Sequence, residues 1–249
     1  MAGHSKWANI KHQKARQDAK RGKIFTKLIR DLMTAAKHGG GNVNDNSSLR
    51  LAVDVARKAN MPKDVMERAI KRGTGELQGE DYVEKVYEGM GAGGVAIVVK
   101  TLTDNGTRTF TNVRTAFNKN GGNLGEGNSV MWQFKHAGLI VYPSTVGEED
   151  DVMEVALEAG ASDFEVEGEV YKIITEVPDF GAVRDVVVAQ YGDPLEDPDL
   201  TYLPTNTMEV ADLETAQKVQ NLVDAIDDDD DVQEVITNMD VSEEIAAQL

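Results

Sequence analysis

Cysteine is absent from the 249 residues. That excludes disulfide staples, thiolate nucleophiles and cysteine-ligated zinc or iron–sulfur centres. It is compatible with a reducing compartment. No apolar run approaches the roughly 20 residues that a membrane-spanning helix needs. The opening residues hold no apolar core of the signal-peptide kind. The expectation is a soluble, cytoplasmic protein with no membrane partner. Catalytic signatures are missing too: no HExxH, no Walker loop and no Ser–His–Asp context. His4, His12 and His38 sit in or beside one basic segment, and His136 stands apart. Nothing specifies a base or a nucleophile, so no enzyme activity, cofactor or metal is expected.

Positive charge is also scarce, but only in part of the chain. The net charge is −17. Residues 1–75 nevertheless hold 17 Lys and Arg against 6 Asp and Glu, while from Glu76 onward the ratio is 9 to 37. Such segregation suggests a basic contact module carried by acidic domains. The acidic parts would repel phosphate and turn the basic end towards it.

Residues Ala2 to Gly22 are polar and basic, with Trp7 and Ile10 as the only large apolar side chains. They offer too little apolar surface to offset ordering entropy, which predicts an arm that orders on a partner. From Lys23 to His38 the pattern changes. Ile24, Leu28, Leu32 and Ala36 recur every fourth residue and predict a helix closed by Gly39-Gly40-Gly41. A second helix is expected over Ser47–Lys58 and a third over Lys63–Lys71. Asn60 is read as the cap before Pro62 at the start of the third.

Strands and helices alternate after that. Val95–Leu102 is a β-type run, Thr109–Asn120 a helix and Val130–Phe134 an alternating strand. A second series then gives strand, helix, two strands, helix and strand from Leu139 to Leu203. This βαββαβ order can close a four-stranded sheet backed by two helices. Thr207–Val210, a helix over Leu213–Ile226 and a strand over Val232–Thr237 lack partners of their own. So does the earlier strand–helix–strand. Joining them makes a second βαββαβ unit interrupted by the first. The expected fold class is α+β: an N-terminal three-helix bundle followed by two βαββαβ-like domains, one inserted in the other. The boundaries follow as 1–75, 76–134 plus 206–249, and 135–205.

Four segments carry a family resemblance. They are AGHSKWANIKHQKARQDAKRGKIFTKLIRDL, RLAVDVARKANMPKDVMERAIKRGTG (Arg50–Gly75), YEGMGAGGVAIVVKTLTDN (Tyr87–Asn105) and GGNLGEGNSVMWQF (Gly121–Phe134). Together with DDVQEVITNM (Asp230–Met239) they closely resemble the YebC/PmpR family. The resemblance implies three domains, one helical and two α+β, in a cytoplasmic protein. It implies a DNA-binding transcriptional regulator, as the family is conventionally described. It also brings in a second implication, because mitochondrial relatives resemble translational activators. Bacterial relatives are connected with the ribosome and with proline-rich stalls. The partner is then ribosomal RNA, with ribosomal proteins beside it.

The residues expected to touch nucleic acid are His4, Lys6, Trp7, Lys11, His12, Lys14, Arg16, Lys20, Arg21, Lys23, Lys27, Arg30, Lys71 and Arg72. Lysine and arginine reach phosphates and give affinity with strong salt dependence. Trp7 can stack on an unpaired base, and the two histidines can stack or donate hydrogen bonds. The plainer alternative is a solvated basic face, with Trp7 docked on the protein itself. Gly89, Gly91, Gly93 and Gly94 precede a strand rather than follow one, so they predict a turn and not a nucleotide loop. The run Asp227–Asp231 lacks calcium-loop spacing and reads as a solvated turn. Glu148–Asp151 reads as the acidic first turn of a helix. Trp132, within an alternating segment, is expected to pack in a core or at a domain boundary.

Overall fold

The four-residue apolar repeat folds as helix α1, Arg21–Gly39. Leu28, Leu32, Met33 and Ala36 are buried along one side of it. The computed structural model describes residues 21–78 and 82–249. Helix α2, Ser47–Lys58, begins on Asn46, whose side chain accepts the Leu49 N–H at 3.0 Å. The Asn46 amide also donates to the carbonyls of Ala35 (2.8 Å) and Gly40 (2.9 Å). One buried side chain therefore caps the start of α2 and satisfies the end of α1.

Asn60 does not cap the third helix. It has φ +60°, its N–H bonds the Arg57 carbonyl, and the Met61 N–H bonds the Ala56 carbonyl. That is a Schellman stop for α2, and asparagine tolerates the left-handed backbone it needs. Helix α3, Lys63–Gly73, starts directly after Pro62. Both α2 and α3 pack on α1. A Cβ at Gly73 would collide with the Met33 carbonyl oxygen, so the end of α3 lies hard against α1.

Strand β1, Val83–Met90, turns through Ala92–Gly94 into β2, Ala96–Thr103. Gly93 and Gly94 both have positive φ, which is why glycine serves in this turn. The two strands pair antiparallel from Val83 opposite Thr103 to Met90 opposite Ala96. Helix α4, Gly106–Lys119, is capped by Asn105 and leads to the short β3, Asn123–Leu124.

The next segment is βαββαβ: β4 (Phe134–Pro143), α5 (Glu149–Glu158), β5 (Asp163–Glu167), β6 (Val170–Thr175), α6 (Phe180–Tyr191) and β7 (Asp199–Pro204). Its sheet runs β5-β6-β4-β7, with every pair antiparallel. Ile140, Tyr142, Ile173, Val152, Ala156 and Val183 are fully buried there. Glu149, Asp150 and Asp151 occupy the first turn of α5, where the helix dipole favours them.

The chain returns through β8 (Met208–Glu209), α7 (Leu213–Asp227), β9 (Val232–Thr237), β10 (Met239–Asp240) and α8 (Glu243–Ala246). Strand β9 pairs with β2 and completes a sheet ordered β3-β1-β2-β9. Ile97, Val99, Val113, Phe117, Val219, Leu222 and Ile226 make its core with α4 and α7. Strands β8 and β10 form a separate parallel ladder. Residues 133–206 form one compact unit, and the remaining described residues form the other.

The α+β class and the helices-first order are as expected. Val130–Phe134, however, is not a strand. Residues 131–133 make a 3-10 turn, and Phe134 opens β4. The cause is Glu88, a buried side chain on β1. Its carboxylate accepts the N–H groups of Asn128 (2.8 Å), Val130 (3.0 Å) and Met131 (2.8 Å). These donors are thereby withheld from any strand ladder. The missing strand is supplied by β1.

Candidate nucleic-acid interface

Each bundle helix ends in cations: Lys37 and His38 on α1, Arg57 and Lys58 on α2, Lys71 and Arg72 on α3. Positive charge at a helix C-terminus complements the dipole. Lys71 and Arg72 are exposed and pair with no acid among the described residues.

Lys27 and Arg30 point elsewhere. They lie three apart on α1, hence on one face, and that face meets the acidic turn between α7 and β9. Lys27 Nζ donates to Asp227 Oδ1 at 3.1 Å and to the Gln233 carbonyl at 3.2 Å. Arg30 donates to the Asp230 carbonyl, and its Nη2 lies 3.0 Å from Asp231 Oδ1. Its guanidinium sits over the Tyr82 ring, 5.1 Å from the centroid. Arg30 is 7% exposed and Asp231 only 2%. Of the expected phosphate contacts, Arg30 is thus buried and Lys27 half-buried, and both are partnered within the chain.

Asp231 is the centre of this cluster. It also accepts from Arg108 Nη2 at 2.7 Å, Thr109 Oγ1 at 2.7 Å and Thr103 Oγ1 at 3.1 Å. Burial pushes its pKa up. The hydrogen bonds from Arg108 and Thr109, with the Arg30 cation, outweigh burial and hold the carboxyl below its ordinary value. Asn112 Nδ2 donates to Asp229 Oδ2 at 2.6 Å. The aspartate run is thus not a simple solvated turn. It is the internal partner of a basic helix that precedes it by some 200 residues. Charge alternation near either segment gives no signal of this pairing.

His4, Lys6, Trp7, Lys11, His12, Lys14, Arg16 and Lys20 lie outside the described residues. Arg21 and Lys23 enter as backbone of the first turn of α1. Trp132 is 69% exposed rather than packed, because it stands in the 3-10 turn where strand alternation does not apply. Its Nε1 donates to the Ser129 carbonyl at 3.3 Å.

Residues 5–76 match the family described as TACO1/YebC protein N-terminal domain. Residues 82–239 match TACO1/YebC second and third domain. The chain belongs to the TACO1/YebC family. A "Probable transcriptional regulatory protein" of Acidithiobacillus ferrooxidans is 52% identical over 249 residues, covering 100% of this chain and 98% of that protein. A Pasteurella multocida protein of the same description is 50% identical, with both chains covered in full. The crystal structure of a conserved hypothetical protein from Aquifex aeolicus, Aq1575, superposes with a TM-score of 0.81 at 43% identity. That match covers 91% of this chain and 93% of the other. Among the described residues of this TACO1/YebC chain, no helix is long and apolar enough to cross a membrane.

Proposed function

We propose that this chain is a nucleic-acid-binding regulator of gene expression that acts on duplex DNA as a cytoplasmic transcriptional regulator, without catalysis. The observation that carries the proposal is the charge partition: 17 cations to 6 acids up to residue 75, and 9 to 37 beyond. The names of the relatives in Acidithiobacillus and Pasteurella agree with it. Lys6, Lys11, Lys14, Arg16 and Lys20 of the lead, with Arg21, Lys23, Lys71 and Arg72, neutralise phosphates and release counterions. Selection among sequences then requires base-edge or shape contacts. The acidic remainder repels phosphate and keeps the basic end forward.

A second reading has its own observation. Trp7, His4 and His12 are interleaved with the cations of the lead. Stacking groups set among cations suit the unpaired bases of ribosomal RNA. In that case the protein is a translation factor, with ribosomal proteins beside it and elongation at proline-rich sequences as its task.

Salt titrations of the intact protein test the common core. Promoter duplex and ribosomal RNA fragments are compared for wild type and for a variant with Lys6, Lys11, Lys14, Arg16 and Lys20 changed to Ala. Five lost phosphate contacts should lower the slope of log K against log salt by about 4.5 on duplex DNA. Equal affinity and equal slope for the two proteins would refute the role of the lead. In-cell crosslinking separates the readings. Promoter peaks support transcription, and concentrated crosslinks on ribosomal RNA support translation.

A further inference from the structure

Helix α4 itself carries no acid, although it lies inside the acidic part of the chain. From Asn105 to Gly125 there is no Asp or Glu, although 37 follow residue 75. Arg108 is used by Asp231 and Asp104. Arg114 is exposed and pairs with no acid among the described residues. Phe110, Arg114 and Asn118 recur every fourth residue, so they share one face. Phe110 is 42% exposed.

That face borders a recess of about 540 Å³. Val86, Tyr87 and Glu88 of β1 and the loop Asn123–Gly127 line it as well. The Tyr87 and Phe110 rings lie 6.1 Å apart and are tilted by 48°. Strand β3 pairs with β1 only at Gly89 and Met90, which leaves the edge of β1 open towards Val83. The loop wall is fixed in place. The Gly125 N–H donates to the Glu88 carbonyl at 2.7 Å, and the Glu88 carboxylate holds Asn128, Val130 and Met131. The recess is therefore formed before any ligand arrives, and its volume lies in the range of small-ligand sites.

We propose that this recess takes one unstacked nucleotide of a single-stranded nucleic acid, with its base against Phe110 and its phosphate at Arg114. An exposed aromatic ring supplies a stacking platform that every base can use. An unpaired guanidinium one helical turn away supplies bidentate phosphate recognition. Asn118, Glu126 and the backbone of the glycine loop offer donors and acceptors to a base edge. An extended peptide added to the β1 edge is the competing occupant. The free cation and the polar side chains of α4 favour the nucleotide over it. The inference rests on the nucleic-acid reading above but concerns a different part of the chain from the basic lead.

The experiment uses the full-length protein with its lead intact. Fluorescence anisotropy measures binding of labelled oligouridylate and oligothymidylate to wild type, Phe110→Ala, Phe110→Trp and Arg114→Gln. Phe110→Ala should weaken binding about fivefold or more, as expected for the loss of one stacked base. Phe110→Trp should restore it. Arg114→Gln should weaken binding and reduce the salt slope by about 1. A 4-thiouridine oligomer should crosslink to the peptide spanning Gly106–Lys119. A preference between uridylate and thymidylate that disappears in Phe110→Ala supports the site. Wild-type binding that is insensitive to both positions overturns the recess alone and leaves the lead as the contact. Absence of any oligonucleotide binding by wild type overturns the recess, while the duplex reading stands or falls by the salt titrations on promoter duplex. Occupation of the recess by an extended peptide with no nucleotide crosslink also overturns it.

Discussion

Asp231→Asn is the sharpest test of the cluster that ties α1 to the β2–β9 layer. The substitution keeps the shape and removes the charge. Arg30, 7% exposed, would then face an amide in place of a carboxylate, and Arg108 would lose its two-pronged acceptor. The new NH2 group is itself a donor pointed among donors. Breaking a buried ion pair by removing one partner costs about 3–5 kcal/mol. The amide oxygen still serves one threonine, which puts the expected loss near the lower end, about 3 kcal/mol. For a protein of this size that is a fall in midpoint of roughly 6–12 °C.

Arg30→Met should cost less, about 1 kcal/mol, because Asp231 keeps Arg108 and both threonines. It also removes a buried Nε that has no hydrogen-bond partner among the described residues. The pH dependence follows from the lowered carboxyl pKa. A carboxyl with a depressed folded-state pKa stabilises fully above its unfolded value of about 3.9 and loses that stabilisation as pH falls through the folded value. The gap between wild type and Asp231→Asn should therefore be constant from pH 8 to 5 and close below pH 4. Calorimetric or circular-dichroism melts across that range measure it. A midpoint unchanged by Asp231→Asn, or a larger loss for Arg30→Met, would refute the reasoning.

Glu88→Gln replaces an acceptor of three backbone N–H groups with an amide that can accept on one side only. It should cost about 2–3 kcal/mol. It should also speed hydrogen exchange at Asn128, Val130 and Met131, while exchange in β2 stays slow, and mass-spectrometric exchange checks both. Asn46→Ala removes a cap worth about 1 kcal/mol and leaves the Ala35 and Gly40 carbonyls without their side-chain donor, for a total of about 2–3 kcal/mol. Urea unfolding measures that loss. Asn46→Asp should recover the cap but not the two carbonyl bonds, and so fall between wild type and the alanine variant.

Local periodicity carried the helices well. The four-residue stripe of α1 and the limits of α2 at Ser47 and Lys58 are written in neighbouring residues, as is the continuous β2 run. Strand β1 was illegible for a physical reason. Its sequence VEKVYEGM is largely exposed along an edge, so the alternation that marks a half-buried strand is weak. Val130–Phe134 misled in the opposite sense. Its alternation is real, but an acceptor about 40 residues away in sequence takes its donors. Composition marks Asn60 as a capping residue but not the helix end it serves, since it does not reveal the sign of φ.

Charge was legible only as a sum. The total of −17 hides the basic lead, and the count over residues 1–75 in turn hides Lys27 and Arg30, which are neutralised from Asp227–Asp231. Which cations are available to a phosphate depends on partners far away in sequence. The consequence can be measured. Lys27 and Arg30 help to hold α1 in place, so neutralising them should lower stability while leaving the salt slope of nucleic-acid binding unchanged. Lys71 and Arg72 should do the reverse, lowering the slope by about 1 each while the melting midpoint falls only by the small helix-dipole contribution. If Lys27→Ala reduced the slope as much as Arg72→Ala, the acidic turn would have to release α1 on binding, and the cluster at Asp231 would be a contact that nucleic acid displaces.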